Sequence, residues 1–458
     1  MKYIGIPKNF LWGASTSAFQ VEGGYKENGK GLSIADIRSF RNSETRLDTK
    51  ETVDGYHLWK KDISLMKDLG MKSYRFSISW PRVFPNGDEE KPNKEGLQYY
   101  HNLINELKRN NIEPIVTMYH FDQPYGLIKK YGGWVSRESI NDFVKYAKCL
   151  FDEFGNDIKY WLTINEQAVL VVANDMLGIS QDLPIKEKFQ KAFQANYNMW
   201  LAQAIVYKIC RERFPDTKIG PAISYITTLP ASKKSIDMME AKNFEDFYSF
   251  SQMDVAIHGE IPKQFTNELD KLGIDIKTEL NDKEILQKGR ANILGVNWYC
   301  TTIVEAVKDS KQSDFIFKRM KRVQDKNLLY TEWGWNFDPV GFRYGLRQVM
   351  DHYGNIPIIV SECGWSEKEK LENGKVHDLQ RIKYLNDHIE QMGLAMNDGV
   401  NVISFNPWSF IDILSAGDGM EKRYGLVFVD RNNFEKKQLK RYKKDSFFFY
   451  KNVIKDNN

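Results

Sequence analysis

A single (β/α)₈ barrel with long strand-to-helix loops is the α/β architecture this sequence predicts, on three observations. Short apolar runs alternate with amphipathic helical segments from near the first residue to near the last. Most of those runs lack strict apolar/polar alternation, as expected of parallel strands covered on both faces. No Gly-rich turn opens a helix after the first strand, as the competing doubly wound open sheet would require to hold a dinucleotide.

Eight runs read as strands, in order: FLWGAST (10–16), SYRFSISW (73–80), EPIVTMYH (113–120), YWLTINE (160–166), KIGPAISY (218–225), ILGVNWYC (293–300), IPIIVSE (356–362) and NVISFNPW (401–408). Between the first two, Trp59, Ile63 and Met66 share a helix face that ends at Gly70, a helix stop. Leu97, Tyr100, Ile104 and Leu107 make the next face. Ile140, Phe143, Val144, Ala147, Leu150 and Phe151 make another, with Ser136 as its expected cap. Ile382, Leu385, Ile389 and Met392 lie on a helix before the last strand. Residues 226–292 hold several short helical pieces without sharp boundaries, and 302–355 read as a long excursion after the sixth strand. Such a barrel uses about 250 residues, leaving roughly 200 for loops. No Pro/Gly/Ser linker interrupts the alternation, so 1–458 reads as one domain.

The composition is 42% hydrophobic and 13% aromatic, enough for a large core and too apolar for a disordered chain. Sixty-five basic against 61 acidic residues leave a net charge of +4, without the basic excess or stripe of a duplex-binding surface. No nucleic-acid partner is expected, and the densest basic run, KRMKR (318–322), reads as a solvated loop. Cys149, Cys210, Cys300 and Cys363 fit no metal-ligand spacing and read as reduced thiols. The start, MKYIGIPKNFLWG, lacks the apolar segment of a secretion signal. The longest apolar run, AVLVVA (168–173), is too short to span a bilayer. A cytoplasmic location without a membrane partner is the expectation.

Catalytic groups of a barrel gather at the C-terminal ends of its strands. Those ends carry Arg75, His120, Asn165 with Glu166, Asn297 with Tyr299, Glu362 and Trp408, while Gln20 and Glu22 follow the first strand. Amides and an imidazole bond sugar hydroxyls, an indole stacks on a sugar's C–H face, and two carboxyls cleave a glycosidic bond. Singly, a strand-end glutamate is as well explained by a cap or an ion pair, and His120 by a satisfied polar site. The coincidence carries the argument.

The segments FLWGASTSAFQVEGG, YRFSISWPRVFPNG, YHFDQP, WLTINE, GVNWY, TEWGWNFDPVG, VSECGW, HDLQRIKYLNDHI and KRYGLVFVD occur here in an order and spacing that resemble the family 1 glycoside hydrolases over nearly the whole chain. The resemblance implies a single barrel, Glu166 as general acid/base and Glu362 as nucleophile. It also implies retention of anomeric configuration, which needs the two carboxyls about 5 Å apart. Arg75 matches the arginine that keeps the nucleophile ionised, and Tyr299 the phenol that orients it. Gln20, His120, Asn165 and Trp408 match sugar-gripping positions, with Asn297 beside them, and Glu22 is expected to form an ion pair behind the site. The implied mechanism needs no metal or organic cofactor. Two residues depart from the pattern: Cys363 where the family usually has Asn, and Gln167 where it usually has Pro. Neither performs the chemistry, but Cys363 raises an expectation of sensitivity to thiol reagents.

After the eighth strand comes ILSAGDGMEKRYG (413–425). Relatives acting on unphosphorylated sugars commonly carry Glu-Trp where this chain has Ser415 and Ala416. A carboxylate there would repel a sugar 6-phosphate by about 4 kcal/mol at about 4 Å and an effective dielectric near 20. Ser415, Lys422 and Tyr424 resemble the 6-phosphate clamp of the family's phospho-glycosidases. The plainer alternative makes Ser415 loop filler and Lys422 structural. Ala416 matches glucoside-directed members, whereas galactoside-directed ones tend to have Trp. The resemblance thus implies a 6-phospho-β-glucosidase whose partner is a small phosphorylated β-glucoside. The alternatives are a 6-phospho-β-galactosidase, a plain β-glucosidase, or an inactive sugar-phosphate-binding protein.

Overall fold

The computed structural model describes residues 2–457. All eight expected strands form, and we number them β1 (Leu11–Trp12), β2 (Ser73–Ser77), β3 (Glu113–Tyr119), β4 (Tyr160–Asn165), β5 (Lys218–Ser224), β6 (Leu294–Trp298), β7 (Ile358–Cys363) and β8 (Val402–Pro407). Each pairs in parallel with its sequence neighbour from β2 to β8. β8 then pairs with β1 through Leu11↔Ser404 and Trp12↔Phe405. The ring closes where Ser15 bridges Arg75, with Arg75 N–H donating to Ala14 O at 3.0 Å and Thr16 N–H to Arg75 O at 2.9 Å. The sheet is a barrel.

The eight strands are short, so they are held by burial on both faces. Ile115, Leu162, Ala222, Ile293 and Ile359, one from each of five strands or their approaches, meet in a separate apolar cluster that fills the barrel interior. The outer faces share a larger core with the helices. Helix Lys94–Arg109 buries Leu97, Tyr100, Ile104 and Leu107, the face its periodicity predicts. Helix Gly55–Leu69 stops at Gly70, whose φ of 87° lies in the left-handed region where glycine costs least. Helix Glu138–Phe154 begins later than its expected cap: Arg137 stands at the cap position, and Ser136 Oγ only accepts from Glu138 N–H at 3.4 Å.

In the excursions one expectation holds and one changes. The segment 226–292 breaks into helices Ser235–Glu245, Ser251–His258, Lys263–Leu272 and Asp282–Lys288. A π-helical turn, Asp246–Phe250, joins the first two and shifts the helical period there, which is why boundaries were not legible. The run 318–322 is not a solvated loop. Arg319 is buried and donates to Glu240 at 3.1 Å and to Glu268 at 3.1 Å, while Met320–Val323 is a strand paired to Thr302–Ala306. No helix among the described residues is long and apolar enough to cross a membrane.

Candidate active site

A cavity of about 660 Å³ opens at the C-terminal end of the barrel. Its walls include Gln20, His120, Glu166, Asn297, Tyr299, Glu362 and Trp408, and also Ser415, Ala416, Lys422 and Tyr424. The strand-end residues and the loop after β8, separated by up to four hundred positions in sequence, therefore share one space.

Local backbone features aim the two carboxylates. The β4–β5 register shifts between Leu162 and Asn165, and the β7–β6 register between Val360 and Glu362, the kind of irregularity that re-aims a side chain at a barrel rim. Glu166 lies just past β4 at φ 47°, ψ 51°, a left-handed conformation costing a non-glycine residue about 1–3 kcal/mol. Its N–H is tied to Ala222 O at 2.8 Å, and the helix Gln167–Val172 starts immediately after it. Gln167, in the position usually taken by proline, donates to Asn196 O at 2.8 Å and accepts from Gln203 Nε2 at 2.6 Å, so its amide locks that helix against the next.

Arg75 organises the floor. Its Nη1 donates to Glu362 Oε1 at 2.5 Å, Nη2 to Asn165 Oδ1 at 2.6 Å and Nε to Thr117 Oγ1 at 2.8 Å. Tyr299 OH donates to the other Glu362 oxygen. Asn297 Nδ2 donates to Asn165 Oδ1 at 3.1 Å, and Ser361 Oγ donates to Asn297 Oδ1 at 2.6 Å. With Asn165 Oδ1 accepting twice, its amide nitrogen is the atom facing His120 Nε2 at 3.3 Å. The imidazole then carries its proton on Nδ1, which is buried without a partner among the described residues. Burial, seconded by the Arg75 charge, holds His120 neutral, well below its ordinary pKa. Its ring stacks on Trp408 at 5.7 Å. Gln20 accepts from Ser17 Oγ at 2.6 Å and donates to Leu414 O at 2.8 Å. Glu22 sits behind this wall, accepting from Arg82 Nε at 2.9 Å and Tyr100 OH at 2.7 Å.

The two carboxyls differ electrostatically. Burial first, and then the negative charge of Glu362, push Glu166 up to about 8. Burial also raises Glu362, but the Arg75 charge and the Tyr299 hydrogen bond oppose it. One acid is thereby held protonated at neutral pH while the other is fitted with donors for its anion.

At the rim, Ser415, Lys422 and Tyr424 are each buried. Lys422 Nζ lies 4.1 Å from the Trp335 ring centre, 5.2 Å from Trp333 and 5.7 Å from Tyr424. Burial lowers its pKa, partly opposed by Asp418, whose Oδ2 is 3.5 Å from Nζ. The adjacent Arg423 points the other way, donating to Asp412 Oδ2 at 2.6 Å and to Arg431 O at 2.6 Å. Sequence reasoning passed over Trp333, Trp335 and Asp418. The tryptophans lie in the quoted TEWGW segment and Asp418 between Ser415 and Lys422, but only the fold brings them onto the lysine. One expectation is overturned: Cys363 is fully buried beside Tyr384 OH at 3.4 Å, and burial pushes its thiol up to about 12. Reaction with thiol reagents needs an accessible thiolate, so Cys363 offers no such sensitivity.

A parallel eight-stranded barrel with two differently held carboxyls among sugar-type donors defines a glycoside hydrolase. The chain matches the model of "Glycosyl hydrolase family 1" over residues 3–458, and it belongs to that family. It is 37% identical to "Aryl-phospho-beta-D-glucosidase BglC" of Bacillus subtilis (strain 168) over 473 residues, covering 99% of this chain and 98% of that one. It is also 37% identical to a "6-phospho-beta-glucosidase" of Clostridium longisporum over 468 residues, with the same coverage of 99% and 98%. Among solved structures, "Family 1 b-glucosidase from Thermotoga maritima" superposes with a TM-score of 0.89 at 30% identity, covering 100% of this chain and 99% of that one.

Proposed function

We propose that this chain, acting in the cytoplasm as one catalytic domain spanning 1–458, is a 6-phospho-β-glucosidase that hydrolyses its substrate with retention of configuration. Glu166, protonated, gives its proton to the glycosidic oxygen as a Glu362 carboxylate oxygen attacks the anomeric carbon. The bond to the aglycone breaks and a glycosyl ester on Glu362 forms with inversion. The ester no longer carries the charge that helped raise Glu166, so the pKa of Glu166 falls and its carboxylate becomes a base. It takes a proton from water, the water oxygen displaces Glu362 at the anomeric carbon, and the original configuration returns.

Arg75 and Tyr299 stabilise the Glu362 carboxylate before attack and as it leaves. His120 Nδ1–H, Asn165, Asn297 and Gln20 supply sugar contacts, with Trp408 as the stacking face. Ser415, Lys422 and Tyr424 take the 6-phosphate. The observation that carries the phosphate reading is Lys422: a buried ammonium in the wall of the carboxylate cavity, with one carboxylate at 3.5 Å where a structural lysine would be fully paired. The relatives named for phospho-glucosides support the same substrate class.

Ala416, in the cavity wall beside Ser415, supports glucoside over galactoside preference. The test is kcat/KM on four nitrophenyl substrates: β-glucoside and β-galactoside, each with and without a 6-phosphate. The phosphorylated glucoside is expected to lead. Equal or faster turnover of the plain glucoside rejects the clamp, a leading phosphorylated galactoside rejects the Ala416 argument, and binding without turnover of any of the four rejects the enzyme.

A further inference from the structure

The phosphate clamp already contains an anion. Asp418 Oδ2 lies 3.5 Å from Lys422 Nζ and 3.4 Å from Ser415 Oγ, so one carboxylate spans two of the three groups assigned to the sugar phosphate. The rings of Trp333, Trp335 and Tyr424 also surround the ammonium. Lys422 is sheltered, its side chain 7% exposed, whereas the Asp418 side chain is 38% exposed. The carboxylate reaches in from the solvent side.

Its support is a short turn. Ser415 N–H donates to Gly419 O at 2.9 Å and Gly419 N–H returns to Ser415 O at 3.3 Å, pinning the base. Gly419 takes φ +66°, the left-handed region, and a Cβ at Gly417 would meet nothing within 4 Å. The exposed flank of Asp418 faces solvent, so leaving Lys422 requires only a turn of its side chain toward water and no break in the Ser415–Gly419 bonds.

Resting on the phospho-glucosidase reading above, we propose that Asp418 determines how tightly the enzyme holds phosphorylated sugars, because its carboxylate occupies the phosphate position in the free enzyme and substrate enters by displacing it. A sugar phosphate is close to a dianion at neutral pH. It must break the Asp418 contacts to Ser415 and Lys422, then bind with the displaced carboxylate still on the neighbouring turn. The free enzyme gains a buried lysine that keeps a counter-charge before substrate arrives. The complex is weakened, so the phosphorylated product departs more readily. The same feature opposes an aspartate that merely props Lys422 toward substrate: a prop would not also engage Ser415.

The test is Asp418→Asn, which keeps the shape and removes the charge, with competitive inhibition by glucose 6-phosphate and by glucose measured in parallel. A half-exposed charge is worth little, so glucose 6-phosphate is expected to bind roughly five-fold more tightly to the variant. Glucose should shift less, and KM for the phosphorylated nitrophenyl glucoside should fall. Unchanged or weaker glucose 6-phosphate binding by Asp418→Asn, in an enzyme whose wild type prefers phosphorylated substrate, overturns this inference alone. If wild type binds glucose 6-phosphate no better than glucose, the substrate reading itself has failed. Asp418→Ser is the second variant: it should tighten glucose 6-phosphate as Asn does, and tightening confined to Asn would also overturn the displacement.

Discussion

Arg75, at the floor of the cavity, gives Nε to Thr117, Nη1 to Glu362 and Nη2 to Asn165 at 2.8, 2.5 and 2.6 Å, whereas Lys422, at the rim, has one carboxylate 3.5 Å away and otherwise faces rings. Both cations are buried. A buried charge left short of partners is costly, so a fold that saturates one and leaves the other under-paired is spending the two differently. At the floor the donors fix a carboxylate before any substrate arrives. That is preorganisation, effective because nothing has to reorient as charge moves during reaction. At the rim, on the reading proposed above, the incomplete partner set is an opening for an anion that comes and goes. On that proposal, the degree of hydrogen-bond saturation separates the residues assigned to the bond from those assigned to the phosphate.

The largest effect should come from the floor. Glu166→Gln removes the proton donor, and general acid–base catalysis is worth about 10²–10⁴-fold. The loss in kcat/KM should be greatest for poor leaving groups and shrink for strongly acidic phenols, which depart without a proton; a loss independent of leaving-group acidity would remove Glu166 from the role. The pH profile supplies the sign. The proposed acid, Glu166, must be protonated to act and is pushed up to about 8 by burial and Glu362, so wild-type kcat/KM should fall as pH rises through about 8. Glu362 works ionised and burial raises it, so activity should also fall on the acid side. In Glu166→Gln the alkaline limb should vanish while the acid limb stays.

A second break in the comparison concerns stability instead of catalysis. Asp412 accepts from Arg423 Nη1 at 2.6 Å, Lys444 Nζ at 2.8 Å and Gly425 N–H at 3.0 Å, all beneath the clamp loop. Asp412→Ala takes from the buried Arg423 its one carboxylate partner among the described residues and leaves the buried Lys444 with Glu369 alone, a change expected to cost about 3–5 kcal/mol, on the order of one broken buried pair. Denaturant unfolding should show it as a lower midpoint with an unchanged slope. A shift under about 1 kcal/mol would mean that Glu369 suffices for Lys444 and the Val429 and Arg431 carbonyls for Arg423, leaving Asp412 worth no more than an exposed pair.

The floor was far more legible in the sequence than the rim. Every barrel strand is an apolar run covered on both faces, so runs such as IPIIVSE announce β7 and place Glu362 at its end without knowledge of any neighbour. Arg75 and Glu362 are 287 positions apart, yet barrel topology alone brings strand ends together. At the rim, Ser415, Lys422 and Tyr424 were readable only through the family resemblance, and the ring box around the ammonium was not readable at all, because Trp333 and Trp335 come from an excursion whose path only tertiary packing fixes. Arg319 teaches the same lesson. Its acids, Glu240 and Glu268, lie 79 and 51 positions away, so the local run of basic residues looked solvated. Where a partner lies on the same element or the next strand end, sequence suffices; where it lies on a long insertion, it does not.

The smallest of the three effects sharpens the contrast most, because it separates neighbours in sequence. Lys422 and Arg423 are both buried cations on one loop, yet Arg423 spends its guanidinium on Asp412 and on the carbonyls of Val429 and Arg431. Lys422→Ala deletes a charged donor to the phosphate, so the loss in kcat/KM on the phosphorylated glucoside should be about 1.5–3 kcal/mol, the range for a hydrogen bond to a charged group. That corresponds to roughly 10- to 150-fold. The plain glucoside has nothing for the ammonium to hold, so the ratio of the two substrates should collapse in the same proportion. Arg423→Ala should instead lower the unfolding midpoint and reduce both substrates together, since its contacts are to the loop's own backbone and acid. If Lys422→Ala lowered both substrates equally, the lysine would have to be regrouped with Arg423 as scaffold, and the 3.5 Å contact to Asp418 would be its partner instead of its placeholder.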